Sequence, residues 1–362
     1  MVVAEVLAFA AGAVLVALTL GSASRTLLVP RAIPATLARI VFIGVRWVFR
    51  IRAGSRQTYE RRDRTMAFYA PVALLTLLAV WLALVFLAYA AMFWALGVRP
   101  PARAIEASGS SLFTLGFAQL SGTAQHLLAF SEAGLGLILL ALLITYLPSV
   151  YAAFSQREQG VAKLEVRAGN PPSASYLIEL ANTVTGLDRL QGLWNDWEDW
   201  FVRLDETHTT FPALTFFRSP HPDQSWVIAA GAVLDAASLY TSSVDVRRTP
   251  DPEYMIRAGY LALRHIAGFF GIPYDPDPAP SDPISISRPE YDEAYARMAA
   301  AGVPMKPDRE RAWRDFAGWR VNYDAVLLGL ARLTMAPPAP WSSDRVGSEN
   351  YTPPILRRRV RS

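Results

Sequence analysis

The chain has 362 residues, of which 52% are hydrophobic and 18% charged, with a formal net charge of +4 and a pI near 9.4. So much Leu, Ala, Val and Phe excludes a collagen-like, fully disordered or small disulfide-stapled protein, and the absence of cysteine excludes disulfides, thiolate metal sites and cysteine nucleophiles. The charge excess is local: residues 22–65 hold ten arginines against Glu60 and Asp63, whereas the chain after residue 155 is slightly acidic, so no nucleic-acid partner is expected.

Val6 to Leu20 is apolar without a break, and neither Met66 to Val98 nor Ala133 to Gln156 carries a charge. About 20 helical residues cross a hydrocarbon core of about 30 Å, so these stretches predict three membrane spans. A secretory signal carries basic residues ahead of its apolar run. Here Glu5 stands in front and Arg25 and Arg31 follow. The positive-inside rule then predicts a multi-pass plasma-membrane protein with its N-terminus outside and everything past residue 155 in the cytoplasm.

Between the first two spans, Arg39, Arg46 and Arg50 fall at i, i+7 and i+11, one stripe of a helix otherwise covered by Ile40, Phe42, Val45, Trp47 and Phe49. A basic stripe on an apolar helix suits an interfacial helix, with anionic lipid along residues 25–64. A cytoplasmic helix packed on the soluble domain fits the same pattern.

Between the second and third spans, Pro100 and Pro101 stop the outgoing helix. Ile105 to Phe113 then reads as a short helix, followed by Thr114-Leu115-Gly116-Phe117-Ala118 and the polar stretch Gln119 to Thr123. Non-helical backbone at membrane depth survives only where it is buried in protein or lines a water-filled cavity. Glu132 stands either behind this segment or at its mouth.

The order of outer helix, short helix, T-L-G-F-A and inner helix resembles the pore unit of tetrameric potassium channels, over roughly residues 66–160. The resemblance implies an all-α membrane protein with an extra N-terminal span and a helical cytoplasmic domain. It also implies a homotetramer whose selectivity filter is built from Thr114, Leu115, Gly116, Phe117 and Ala118. The function implied is a cation channel, most suited to K⁺, with no cofactor or metal besides the permeant monovalent cation. Gly134, Gly136 and Pro148 fall where the inner helix flexes in that family, although glycine and proline are also ordinary in membrane helices. Three departures make the filter non-standard: Ala118 replaces the usual final glycine, Gln119 a frequent aspartate and Phe113 a frequent threonine. A non-conducting membrane scaffold or sensor derived from such a pore is the alternative.

The remaining region predicts helices at Tyr176–Leu204, Trp226–Tyr240, Glu253–Phe270 and Asp308–Leu333, with an irregular proline-rich linker from Gly271 to Pro289. Trp194, Trp197, Trp200 and Phe201 read as core. Trp226–Tyr240, interrupted by Asp235, is too short for a comfortable span and reads as a buried helix. No glycine-rich phosphate loop occurs, and Glu206, His208, His221 and Asp223 match no standard metal spacing. His265, beside Arg264 in a helix, reads as a packed or capped residue rather than a catalyst, so no enzyme is expected and no ligand or partner is assigned to the domain. The tail carries Arg357, Arg358, Arg359 and Arg361, which fit either anionic lipid or solvent. The layout is thus an N-terminal span (1–24), a basic linker (25–65), a pore domain (66–156), a helical domain (157–336) and an irregular tail (337–362). Within the pore domain lie the outer helix (66–98), pore helix and filter (105–118) and inner helix (133–156).

Overall fold

The computed structural model describes residues 2–27, 36–53 and 58–345, so the arginine tail lies outside the described residues. Among the described residues the regular structure is helical, with one isolated bridge between Val244 and Met305. The chain divides into two units, one of residues 1–57 and 65–152, the other of residues 58–64 and 153–362.

The first unit contains α1 (Val2–Leu27), α2 (Thr36–Arg52), the end of α3 (Tyr59–Ala67), α4 (Tyr69–Ala95), α5 (Pro101–Leu112) and the upper part of α6 (Thr123–Ala168). Three stretches are long and apolar enough to cross a membrane: α1, the run Tyr59–Ala95, and α6. Their outward side chains are apolar: Val6, Leu7 and Val14 on α1, Leu75 and Leu87 on α4, Leu137 and Ile144 on α6. Such a surface suits lipid, since a large exposed apolar patch is unfavourable in water.

α1 runs antiparallel to α4. Glu5 pairs with Arg99 just beyond α4 at 2.8 Å, Gly12 lies against Ala88, and the Trp81 indole N–H donates to the Ser22 hydroxyl at 3.2 Å. A Cβ at Gly12 would come within 2.6 Å of the Ala88 carbonyl oxygen, so glycine permits this close approach. α6 is also antiparallel to α4, with Gln125 donating to the Leu96 carbonyl at 3.0 Å and Tyr89 meeting Ser131 at 3.0 Å. α2 packs on α4, where the Tyr69 hydroxyl donates to the Phe42 carbonyl.

The three arginines of the α2 stripe differ in exposure. Arg46 is buried while Arg39 is exposed, and the outward face is apolar, with Ile40, Trp47, Val48 and Ile51. Arg46 therefore belongs to the side that packs.

α6 begins ten residues before the expected inner helix and continues unbroken past Gln156 through Pro148. The short helix also starts earlier than expected. Pro101 occupies its first turn, where a missing N–H costs nothing.

The second unit holds the lower part of α6, then α7 (Ala174–Val184), α8 (Leu190–Thr210), α9 (Trp226–Ser243), α10 (Asp251–Phe270), α11 (Arg288–Ala300), α12 (Arg309–Arg320) and α13 (Asp324–Thr334). α9 is the buried helix expected from its length, covered by α7, α10, α12 and α13. The predicted helix Tyr176–Leu204 is two helices, broken where Gly186 takes φ +86°. Asp308–Leu333 likewise breaks at Val321–Tyr323. α11 was absent from the expected elements, and a capping box between Ser287 and Glu290 starts it at the end of the proline-rich linker.

Candidate functional site

The segment between α4 and α6 is a helix followed by a return. The Ser108 hydroxyl of α5 bonds the Phe86 carbonyl at 2.9 Å, nine residues before the end of α4. At 1.5 Å per residue, α5 therefore reaches about 13 Å down the side of α4. Its C-terminal Leu112 lies against Gly136 of α6, where a Cβ would sit 2.5 Å from the Leu112 carbonyl oxygen. From there residues 113–122 climb back to the start of α6 without helical structure.

The backbone of the five proposed filter residues is polarised. Thr114 N–H donates to the Ser111 carbonyl at 2.9 Å, and the N–H groups of Leu115 and Gly116 turn to the Ser110 carbonyl at 2.8 and 3.4 Å. The Phe117 and Ala118 N–H groups donate to the Ser110 hydroxyl at 3.0 and 3.1 Å. All five donors are thus spent on the last turn of α5. Among the described residues no donor is bonded to the carbonyl oxygens of Thr114 to Ala118. These carbonyls are the available acceptors of an otherwise satisfied segment.

Thr114 takes φ +55° and Gly116 φ +71°. A β-branched residue in the left-handed region costs on the order of 1–2 kcal/mol and is held only where surrounding contacts over-determine it. Ala118 is not among the residues with positive φ, so the left-handed positions of this segment are Thr114 and Gly116. Phe113, Leu115 and Phe117 present exposed apolar side chains, and α5 directs its negative C-terminal end toward this segment.

Glu132 is fully buried, with a carboxyl oxygen 2.5 Å from the Ser108 hydroxyl of α5. Of the flexing positions, Gly136 is a close-packing contact, Gly134 has open space around it, and Pro148 lies within continuous α6.

No protein-family model, curated protein or solved structure matches this chain.

Among the described residues no group of three or more His, Asp or Glu side chains is suited to a metal. His208 is buried, with Nδ1 3.0 Å from the Leu204 carbonyl and Nε2 3.3 Å from Arg157. Glu206 and His221 are exposed, and Asp223 accepts from Asn170. His265 pairs with Asp205 at the surface. A cleft of about 160 Å³ runs between α6 and α8, floored by Trp197 and Trp200 and rimmed by Lys163, Arg167, Asp196 and Arg203. Sequence reasoning passed over Ser110 because a serine in a short helix has no motif. Only the returning chain reveals what its hydroxyl holds.

Proposed function

We propose that four copies of this chain close around a cation path in the plasma membrane. In this reading the carbonyls of Thr114 to Ala118 face that path and the second unit is a cytoplasmic regulatory or assembly domain. The observation that carries it is the polarised segment, with every N–H spent on α5 and every carbonyl left as an acceptor. A ring of such carbonyls replaces the hydration shell of a dehydrated cation, and K⁺ is the cation this filter type suits. One segment per chain makes a closed ring an oligomer. The exposed Phe113, Leu115 and Phe117 are apolar surface for neighbouring copies to cover. The N-terminus lies outside, and the apolar face of α2 meets the inner leaflet with anionic lipid near residues 25–64.

Ala118 and Gln119, which depart from the channel pattern, favour a second reading in which the ring is a scaffold or sensor without conduction. Liposome flux separates the two. Purified protein is expected to pass K⁺ faster than Na⁺, and Gly116→Ala, which forces a side chain into φ +71°, to abolish that flux. Unchanged flux in Gly116→Ala overturns the filter assignment, and no flux from the unaltered protein supports the scaffold.

A further inference from the structure

Within the second unit, the short segment from Phe211 to Arg218, which leaves α8 on the way to α9, is bound to three distant parts of the chain. From α6, the buried Arg157 donates to the Leu214 carbonyl at 3.0 Å and to the Phe217 carbonyl at 2.7 Å, and the Phe154 ring meets the Phe217 ring at 5.9 Å. Arg157 also pairs with its neighbour Glu158 at 2.6 Å. The next residue of the segment, Arg218, pairs with Asp63 of α3, reaches the Tyr59 hydroxyl at 3.3 Å and donates to the Thr334 carbonyl at 2.8 Å at the end of α13. Arg157 lies one residue beyond the expected end of the inner helix, and Asp63 lies six residues before α4 begins.

We propose that residues 211–218 form a coupling strap that makes the start of the outer helix and the lower end of the inner helix respond together to the helical domain. Arg157 and Arg218 are its positioning residues. The proposal rests on the pore reading and names how that pore would be regulated.

Two features favour a coupling role over mere adhesion. Taking guanidinium groups out of water is costly, and apolar side chains would hold such a junction at least as well. The hydrogen bonds also fix geometry. Arg157 is held by carbonyls of the strap itself, and Arg218 by a carboxylate, a hydroxyl and a carbonyl from two other elements. Because Phe217 and Arg218 are consecutive, neither grip can shift without displacing the other. Thermodynamic coupling of this kind is reciprocal.

Hydrogen–deuterium exchange on the full-length protein in nanodiscs tests the strap. Asp63→Asn weakens the α3 grip and leaves the Arg218 contact to the Thr334 carbonyl in place. It is expected to speed exchange at least about tenfold in residues 59–67 and also in residues 153–168, which Asp63 does not touch. Arg157→Lys, which keeps the charge and loses the forked geometry, is expected to deprotect residues 59–67 in return. Deprotection confined to the mutated element in both variants overturns the strap. Single-channel recording adds a readout that adhesion alone would not move: Asp63→Asn is expected to change the fraction of time spent open while unitary conductance stays the same. An unchanged open fraction overturns the regulatory role. Absence of current from the unaltered protein overturns the pore reading, and the exchange result still decides whether the two helix ends are coupled.

Discussion

The Ser108 hydroxyl of α5 and the Glu132 carboxyl of α6 meet at 2.5 Å in a site closed to solvent. This contact fastens the short helix to the long one. Ser108→Ala leaves Glu132 without that partner, and a buried polar group stripped of its partner costs about 1–3 kcal/mol. Thermal unfolding in detergent should therefore fall for Ser108→Ala and recover in part when Glu132→Leu is added. A double variant no more stable than Ser108→Ala would contradict the pairing.

Gly134 and Gly136 are separated by the same geometry. An alanine methyl at position 136 would meet the Leu112 carbonyl oxygen at 2.5 Å, whereas position 134 is open. Gly136→Ala is expected to push α5 away and lose about 1–3 kcal/mol, as overpacking does. Gly134→Ala is expected to be neutral or stabilising by up to about 1 kcal/mol, because alanine is the better helix former. Melting temperatures of the two variants check this, and equal losses would refute the close contact.

The three apolar helices were legible because long apolar runs leave unbroken sequence signatures, and α9 was legible as a buried helix from its length. The interruption between the second and third apolar runs was legible from Pro100 and Pro101, from Gly116 and Gly122, and from its place between the two runs. What the sequence hid were features decided by partners far along the chain. Arg46 turns inward because α4 packs over it, and Ser110 matters only once residues 117 and 118 return to it. Arg218 meets Asp63 across 155 residues, a separation no local pattern encodes. The break at Gly186 leaves no local signal, because one glycine in an apolar helical pattern is tolerable and only its φ of +86° ends the helix.

His208 makes the second unit sensitive to acid. Burial, reinforced by the nearby Arg157 charge, holds its pKa well below the ordinary histidine value. An unfolded histidine titrates near 6.5, so below that pH the unfolded chain binds a proton that the folded one refuses. Stability is therefore complete above about pH 6.5 and declines as pH falls, by at most about 1.4 kcal/mol per unit from this group. His208→Gln should flatten the decline in melting temperature between pH 6.5 and 5. An identical slope in the variant would remove His208 as its source.

Arg320 is fully buried, pairing with Asp235 of α9 and with Asp324 at 2.8 Å, while the Tyr323 hydroxyl donates to Asp235 at 2.9 Å. Arg320→Ala strands the Asp235 charge in the core and is expected to cost about 3–5 kcal/mol. Replacing both partners, Arg320→Met with Asp235→Leu, should recover much of that loss. Urea unfolding followed by tryptophan fluorescence measures both variants, and a double variant as unstable as the single one would show that the charge pair is not what closes this core.

The most direct test of the central claim is single-particle imaging of the purified protein in nanodiscs. The expected particle is a ring of four chains with residues 114–118 on the fourfold axis, their carbonyl oxygens turned toward it and the Ser110 hydroxyls behind. A monomer, a dimer or a ring with residues 114–118 away from the axis would contradict it.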